Sequence, residues 1–251
     1  MPQLSIVIIT FNEEKNIERC LLSVQKIADD IVVLDSFSTD ATASICNKYS
    51  VNFIQRKWEG YSASKNFANA QAKYDWVLSL DADETLSETL ADAIRKLKQG
   101  EELCTAKFNR LTNYCGKWIK HCGWYPDTKV RLFDRRTTHW EGIIHEQLIV
   151  NSNKPILHLK GDCLHYSYYT IEQHYAQTEK FSSLAAQSLF EKGKKATFIK
   201  LYISPAVKFF TDYFIKLGIL DGGAGFTICR ISAYTTFLKY KKLKLLLHEK
   251  V

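Results

Sequence analysis

The chain has 251 residues, of which 46% are hydrophobic, 13% aromatic and 24% charged. This balance is typical of a globular protein and excludes a disordered chain, and the length fits one large domain with or without an extension. The net charge of +7 arises near the C-terminus: residues 192–251 carry 12 lysines and arginines against 3 acidic residues, whereas residues 1–191 carry a net charge of −2.

The seven cysteines show no metal or disulfide pattern. Their number is odd, no two are separated by only two residues, and the closest pair, Cys115 and Cys122, has a poor spacing for zinc. The apolar start of the chain has no basic stretch before it, and Glu13 and Glu14 follow at once, which predicts a buried strand and not a signal peptide. No uncharged apolar run approaches the ~20 residues of a membrane span. We therefore expect reduced cysteines and a cytoplasmic protein.

Strands and helices are predicted to alternate through the first hundred residues. Apolar runs predict strands at 4–10, 30–35, 51–55 and 76–80, and helical spacing predicts helices at 14–27, 41–49 and 61–73. Thr85 to Glu88 has the pattern of a capping box that opens a further helix. Four strand–helix units in succession predict an α/β fold with a mostly parallel, doubly wound sheet.

After residue 102 the pattern changes to short strands and then to long helices. The predicted strands are 106–111, 129–133, 147–150 and 156–159, and the predicted helices are 171–192, 197–217 and 222–245. From this change we expect two parts, an α/β domain over residues 1–168 and a basic helical extension over residues 169–251.

The C-terminal extension combines positive charge with bulky apolar side chains. Val207, Phe210, Phe214 and Leu217 recur at helical spacing among the lysines. Basic amphipathic helices of this kind bind anionic membrane surfaces, and we expect such a peripheral association. The alternative is that the helices pack on the domain with their lysines facing solvent. No nucleic-acid motif is recognisable, so no nucleic-acid partner is expected.

Polar residues follow the predicted strands, at the edge where open parallel sheets bind ligands. Those after the first, second and fourth strands are Thr10, Asn12, Glu13, Asp35, Asp81 and Asp83. The loop after the first strand lacks the glycine-rich patterns of dinucleotide-binding and P-loop enzymes, which disfavours both classes. Asp81 and Asp83 predict a divalent-cation site, because Mg²⁺ takes one or two carboxylates and completes its shell with substrate phosphates and water. The histidines, among them His165, show no spacing that requires a metal.

Four motifs carry a resemblance to an enzyme family. They are IVIITFNE at 6–13, VLDSFSTD at 33–40, SKN at 64–66 and LDADE at 80–84. In this order and spacing they resemble the family 2 inverting glycosyltransferases with a GT-A fold, over about residues 4–150.

Later segments narrow the resemblance. They are VRLF at 130–133, WEGIIHE at 140–146, LDG at 220–222 and the basic tail. With them the chain is similar to the bacterial lipopolysaccharide core-biosynthesis β-1,4-glucosyltransferases. This resemblance implies transfer of glucose from a UDP-sugar to an inner-core heptose of a lipid-linked saccharide, at the cytoplasmic face of the inner membrane.

The resemblance also implies a nucleotide pocket. Thr10, Asn12 and Glu13 would line it, and Asp35 would accept a hydrogen bond from the uracil imide.

A second set of implied roles concerns the diphosphate. Lys65 would lie near it, at a position where many relatives carry Arg, which alone offers bidentate geometry. Asp81 would face the ribose and the sugar, and Asp83 would bind Mg²⁺ or Mn²⁺, which neutralises charge on the departing UDP. Arg131 would be either a buried ion-pair partner or a phosphate contact.

Inversion requires a base that takes the proton from the acceptor hydroxyl. Many relatives use the Asp of a Glu-Asp pair, which is absent here after the DxD segment. The pair His145-Glu146 occupies the comparable segment, so Glu146 is the expected base, with His145 positioning it or contacting phosphate. The alternatives are that Asp134 or Glu141 is the base and that His145 is a core residue.

Three other functions fit parts of the sequence. One keeps the fold and donor but transfers to a polyprenyl phosphate or another glycan. Another is a sugar nucleotidyltransferase, whose triphosphate loop would be glycine-rich and basic, whereas the loop here is acidic. The last is a basic membrane-binding scaffold with a degenerate nucleotide fold, against which the carboxylates at the strand ends weigh.

Overall fold

The computed structural model describes residues 1–142, 146–151 and 154–248. The chain divides into two compact units: unit 1 is Met1–Arg110 with Asp127–Tyr166, and unit 2 is Leu111–Pro126 with Ser167–Val251. The sequence predicts Leu111–Pro126 as part of the α/β domain, whereas in the structure this segment belongs with the C-terminal helices.

The main sheet is parallel in one half and antiparallel in the other. Its parallel strands are β1 (Leu4–Thr10), β2 (Asp30–Asp35), β3 (Asn52–Gln55) and β4 (Trp76–Asp81), in the spatial order β3-β2-β1-β4. The sheet continues past β4 through strands of the later chain. These are β5 (Glu84–Leu86), β6 (Ala106–Tyr114), β7 (Lys117–Ile119), β8 (Asp127–Asp134) and β11 (Leu157–Tyr168).

The order of this second half is β4-β8-β6-β11-β5, with β7 paired to β6. The pairs β4–β8, β6–β8, β6–β7 and β11–β5 are antiparallel. The prediction of a mostly parallel sheet therefore applies to β1–β4 alone. The strands β9 (Thr138–Glu141) and β10 (Gln147–Val150) form a separate antiparallel pair.

The described residues of unit 1 form four helices: α1 (Ile17–Val24), α2 (Thr42–Cys46), α3 (Tyr61–Ala70) and α4 (Glu88–Lys98). Three belong to unit 2: α5 (Ile171–Glu191), α6 (Ser204–Phe210) and α7 (Gly222–His248). Helix α6 lies between π-helical turns at Ile199–Ile203 and Thr211–Ile215, and a 3₁₀ turn at Gly218–Asp221 precedes α7. Within the described ranges, none of these helices has both the length and the apolarity needed to cross a membrane.

Both faces of the parallel sheet are covered, as the uninterrupted apolar run of β1 predicts. Ile8 packs in one core cluster with Leu21 of α1 and Leu90 of α4. Val7 points to the opposite face, where it packs with Ala68 of α3. Because successive strand residues alternate between faces, all seven residues of β1 are buried.

The start of α4 differs from the sequence-based prediction. The predicted capping box at Thr85 is wrong, because Thr85 lies in β5. Ser87 is the N-cap, and its hydroxyl accepts a hydrogen bond from the backbone N–H of Leu90 at 3.3 Å.

Unit 2 has its own small core, in which Tyr114, Ile119 and Ile228 are buried. Asp221, in the LDG motif, has a structural role there: its carboxylate accepts the backbone N–H of His121 at 2.8 Å. This contact ties the segment after β7 to the turn before α7.

Candidate active site

The carboxyl ends of three parallel strands bring the predicted polar residues to one edge of the sheet. Thr10 of β1 is in register with Asp35 of β2, and Ile9 of β1 is in register with Asp81 of β4. Thr10, Asp35 and Asp81 therefore lie at the carboxyl ends of neighbouring strands, as the sequence predicts.

Asp81 lies between two buried cations. Lys65 Nζ of α3 is 3.2 Å from Asp81 Oδ1, and Arg131 Nη2 of β8 is 3.0 Å from Asp81 Oδ2. Burial alone would raise the pKa of Asp81, but Lys65 and Arg131 outweigh it and hold the pKa well below its usual range. Asp81 is therefore ionised at neutral pH.

Glu84 is a site residue that the sequence analysis missed. Its side chain is completely buried, and Oε1 lies 2.9 Å from Arg131 Nη2 and 3.3 Å from Arg110 Nη1. The other oxygen accepts the backbone N–H of Asp81 at 3.0 Å. Of the two roles left open for Arg131, the structure shows the buried ion pair. In the sequence, the signal for Glu84 is the group of three acidic residues in LDADE. An acidic side chain is tolerated in the interior of a protein only when it has cationic partners.

Asp83 pairs with a histidine from a strand distant in sequence. Its Oδ2 lies 3.1 Å from Nε2 of His165, because the antiparallel pairing of β11 with β5 sets His165 opposite Glu84. Burial lowers the pKa of His165, but the Asp83 carboxylate outweighs it and raises the pKa above its ordinary value. His165 was given no role from its spacing, and only the strand pairing brings it here.

A divalent cation fits this pair chemically. Asp83 offers a carboxylate oxygen and His165 an imidazole nitrogen, both of which are ligands of Mn²⁺, and Asp83 is partly exposed to solvent. In the described part of the chain no group of three or more His, Cys, Asp or Glu side chains forms a complete metal cage.

Glu146 reaches the same centre. Its Oε1 is 3.2 Å from Lys65 Nζ, so one ammonium group pairs with both Asp81 and Glu146. The side chain of Lys65 is 1% exposed, whereas those of the two carboxylates are about a quarter exposed. Lys65 therefore lies beneath the site, and the carboxylates face solvent.

The alternative bases lie elsewhere. Asp134 is opposite Trp76, at the start of β4, and so at the far end of the strand that ends in Asp81. Glu141 is exposed and pairs with His139 at 2.8 Å. His145 lies outside the described residues. Of the candidate carboxylates, Glu146 is the one that the structure places beside Asp81.

The loop after β1 folds against the loop after β2. The backbone N–H of Asn12 donates to Ser38 Oγ at 2.8 Å, and Asn12 Oδ1 accepts the N–H of Thr39 at 2.8 Å. Burial raises the pKa of Glu13 from its ordinary 4.5 to about 7, and the charge of Asp83 adds to the increase. Glu13 is thus within electrostatic range of Asp83, and Asn12 links the two loops.

Thr10 and Asp35 are more deeply placed than a nucleotide contact requires. Thr10 is buried, and in the described part of the chain its hydroxyl has no hydrogen-bond partner. Asp35 is wholly buried and accepts the N–H of Ser38 at 2.9 Å and Nε2 of Gln55 at 2.9 Å. Because this carboxylate is wholly buried and already paired, its contact with a uracil stays a prediction.

Two aromatic residues beside the site were also missed. The rings of Trp58 and Tyr61 meet edge to face at 4.7 Å, and both are more than 40% exposed. Burial raises the pKa of Tyr61, and the charges of Asp81 and Glu146 raise it further, so this ring lies within electrostatic range of the carboxylates. Exposed rings of this kind can stack on a sugar or a base.

Comparisons with known proteins identify a family whose model covers the residues of the site. The model of the family "Glycosyl transferase family 2" matches residues 5–154, which include Lys65, Asp81 and Glu146. A protein of Rickettsia bellii named "Uncharacterized glycosyltransferase" is 32% identical over 96% of this chain and 86% of its own length.

Two further similarities extend over nearly the whole chain. The "Lipopolysaccharide core biosynthesis glycosyltransferase LpsC" of Rhizobium meliloti is 28% identical over 96% of this chain and 91% of its own. The crystal structure of S. aureus TarS 1-349 in complex with UDP superposes with a TM-score of 0.46 and 16% identity, over 99% of this chain and 92% of that one.

Proposed function

This chain belongs to glycosyl transferase family 2 and has the GT-A fold, and from that premise we propose that it transfers glucose, with inversion, from UDP-glucose to an inner-core heptose of a lipopolysaccharide or lipooligosaccharide. The observation that carries the proposal is the arrangement of Asp81 and Glu146 around one buried ammonium group, that of Lys65. The similarity to LpsC, a protein named for lipopolysaccharide core biosynthesis, supports the choice of acceptor.

Glu146 is the base in this proposal. It takes the proton from the attacking acceptor hydroxyl, a role that requires an ionised carboxylate open to the acceptor. Its carboxylate pairs with the Lys65 ammonium group at 3.2 Å, and the partial exposure of Glu146 leaves room for a sugar. Lys65 acts as a positioning residue, because it is buried and reaches the reactants only through Asp81 and Glu146.

Asp81 and Arg131 set the position of the donor. Asp81 is held ionised and fixed by Arg131, so its oxygens present acceptors to the hydroxyl groups of the ribose or the sugar. Arg131 is buried with Glu84 and positions Asp81.

Asp83 is proposed to hold Mg²⁺ or Mn²⁺, with His165 as its neighbour in the site. When bound, the cation offsets the negative charge on the departing diphosphate. Thr10, Asn12 and Glu13 line the side of the site nearest the first strand, where we propose that the nucleotide lies.

A paired substitution tests the assignment of the base. Glu146→Gln removes the basic oxygen while keeping the shape of the side chain, and it should lower turnover about a hundredfold or more with little change in UDP-glucose binding. Glu141→Gln is the matched control and should keep normal turnover. A fully active Glu146→Gln variant would remove Glu146 from the mechanism, and an inactive Glu141→Gln variant would transfer the role to Glu141.

We also propose that unit 2 binds the anionic cytoplasmic face of the inner membrane. Support comes from a set of bulky side chains that are each about half exposed or more, here called the apolar face: Phe198, Ile199, Tyr202, Val207, Phe210 and Ile215. Lys194, Lys195 and Lys200 lie in the same stretch of chain. Apolar side chains with neighbouring lysines are the composition that binds an anionic lipid surface.

Sedimentation with vesicles tests this surface. The double variant Phe198→Ser with Phe210→Ser should bind weakly to vesicles that contain phosphatidylglycerol. Phe181→Ser is the matched control, since Phe181 is an exposed phenylalanine of α5 outside the apolar face. Equal binding by the unmodified protein, the double variant and Phe181→Ser would contradict the proposal.

A further inference from the structure

Unit 2 carries two adjoining hollows among α5, α6 and α7. The first has a volume of about 360 Å³ and is walled by apolar side chains such as Leu201, Phe209, Ala233 and Phe237. Among its described lining residues, Arg230 is the one that carries a charge. This hollow is therefore an apolar slot with one cation at its wall.

The second hollow, of about 480 Å³, is more polar. Tyr175, Glu179, Arg230 and Tyr234 line it, so Arg230 and Tyr234 belong to both hollows. The shared residues place the guanidinium group at the junction of an apolar space and a polar one.

Arg230 has donors to spare at this junction. Its Nη2 donates to the hydroxyl of Tyr175 at a long 3.3 Å, and in the described residues it forms no ion pair with a carboxylate. Glu179, the acidic residue of the second hollow, is paired with Lys242, whose Nζ lies 2.6 Å from its Oε2. Arg230 is exposed, so an anion there would replace water on most of its five N–H donors.

We propose that these hollows bind one anionic phospholipid, with a hydrocarbon chain in the first hollow and its phosphate against Arg230 in the second. The charge of Arg230 complements a phosphate, for which a guanidinium fork is well shaped.

The position of the slot favours a lipid over a soluble ligand. Tyr202 and Phe210 line the first hollow and also belong to the apolar face. A lipid could therefore enter from the surface that we propose rests on the membrane, and in this respect the inference rests on the proposed function.

Calorimetric titration with dioctanoyl phosphatidylglycerol, kept below its critical micelle concentration, tests the slot without a membrane. The unmodified protein should bind this lipid and should bind dioctanoyl phosphatidylcholine at least tenfold more weakly. Arg230→Gln should weaken phosphatidylglycerol binding about tenfold or more, because a charge-assisted contact is lost. Lys241→Gln removes one charge from an exposed position of the same helix and should leave binding unchanged.

Filling the slot provides the second arm. Ala233→Trp should abolish binding, and Ala206→Leu, at a more exposed wall position, should weaken it if Ala233→Trp does not fold by circular dichroism. Unchanged binding in a folded slot-filling variant, or equal affinity for the two lipids, would overturn the inference. Vesicle sedimentation is scored separately: its failure would overturn the membrane proposal, whereas the titration tests the slot alone.

Discussion

Replacing Lys65 by Met removes the ammonium group that Asp81 and Glu146 share. Both carboxylate oxygens lie 3.2 Å from Nζ. At an effective dielectric constant of about 20, each pair at that distance attracts by about 5 kcal/mol, but desolvation cancels much of this. Loss of one partner of a buried pair costs about 3–5 kcal/mol, and the partial exposure of the two carboxylates favours the lower figure. We expect Lys65→Met to lower the free energy of unfolding by about 3 kcal/mol.

Urea unfolding followed by tryptophan fluorescence measures this change. Lys65→Arg keeps the charge and should cost about 1 kcal/mol or less. In the double variant Lys65→Met with Glu146→Gln, the loss should be smaller than the sum of the single losses, because Glu146 no longer remains as an unpaired charge. A loss below about 1 kcal/mol in Lys65→Met, or strict additivity in the double variant, would refute the shared ion pair.

Three further predictions concern the site and the fold. Asp83→Asn should remove metal-dependent turnover with the melting temperature nearly unchanged, as measured by UDP release and thermal unfolding, and normal turnover would place the metal elsewhere. Because burial raises the pKa of Glu13 from 4.5 to about 7, the folded state binds this proton more tightly, so stability falls as pH rises between these values. Glu13→Gln should therefore gain up to about 3 kcal/mol relative to the unmodified protein between pH 5 and pH 8 in urea titrations, and an equal pH dependence would contradict the shift. Gly161→Ala should lower the free energy of unfolding by more than about 1 kcal/mol, since φ is +96° and a Cβ would lie 2.4 Å from the backbone N of Leu90. Gly193→Ala is the control and should cost less, because φ is +62° there and a Cβ would meet open space.

Most of the parallel half of the sheet could be predicted because three of its strands, β1, β2 and β4, are largely buried on both faces. The uninterrupted apolar runs of β1, β2 and β4 mark both the strands and the points where they end, and Thr10, Asp35 and Asp81 follow from those ends. Neighbouring parallel strands end at one edge, so their proximity needs no further information.

The antiparallel half could not be predicted in the same way. β11 runs from Leu157 to Tyr168, but its sequence contains Lys160, Gly161 and Asp162, and only its first residues have a strand pattern. The pairing of this strand with β5 joins His165 to Asp83 across 82 residues. Such a register depends on tertiary packing, and no local spacing encodes it.

The choice among the candidate bases also depends on information that only the folded chain contains. The sequence offers Asp134, Glu141 and Glu146 within a short segment and cannot separate them by spacing. Strand pairing places Asp134 at the far end of β4, and the burial of Lys65 requires anionic partners, which Asp81 and Glu146 supply. The ion pair with the buried Lys65 thus favours Glu146 as the proposed base, and burial is a property of the folded chain.

Release of UDP from a panel of UDP-sugars, with a heptose-bearing core acceptor, tests the central proposal most directly. The account predicts that UDP-glucose gives the fastest release, that the acceptor stimulates it, and that EDTA stops it until Mn²⁺ or Mg²⁺ is restored. Release that the acceptor does not stimulate, or that requires a polyprenyl phosphate instead, would contradict the proposed acceptor. Failure to bind or release UDP with any donor would contradict the assignment of this site to sugar transfer.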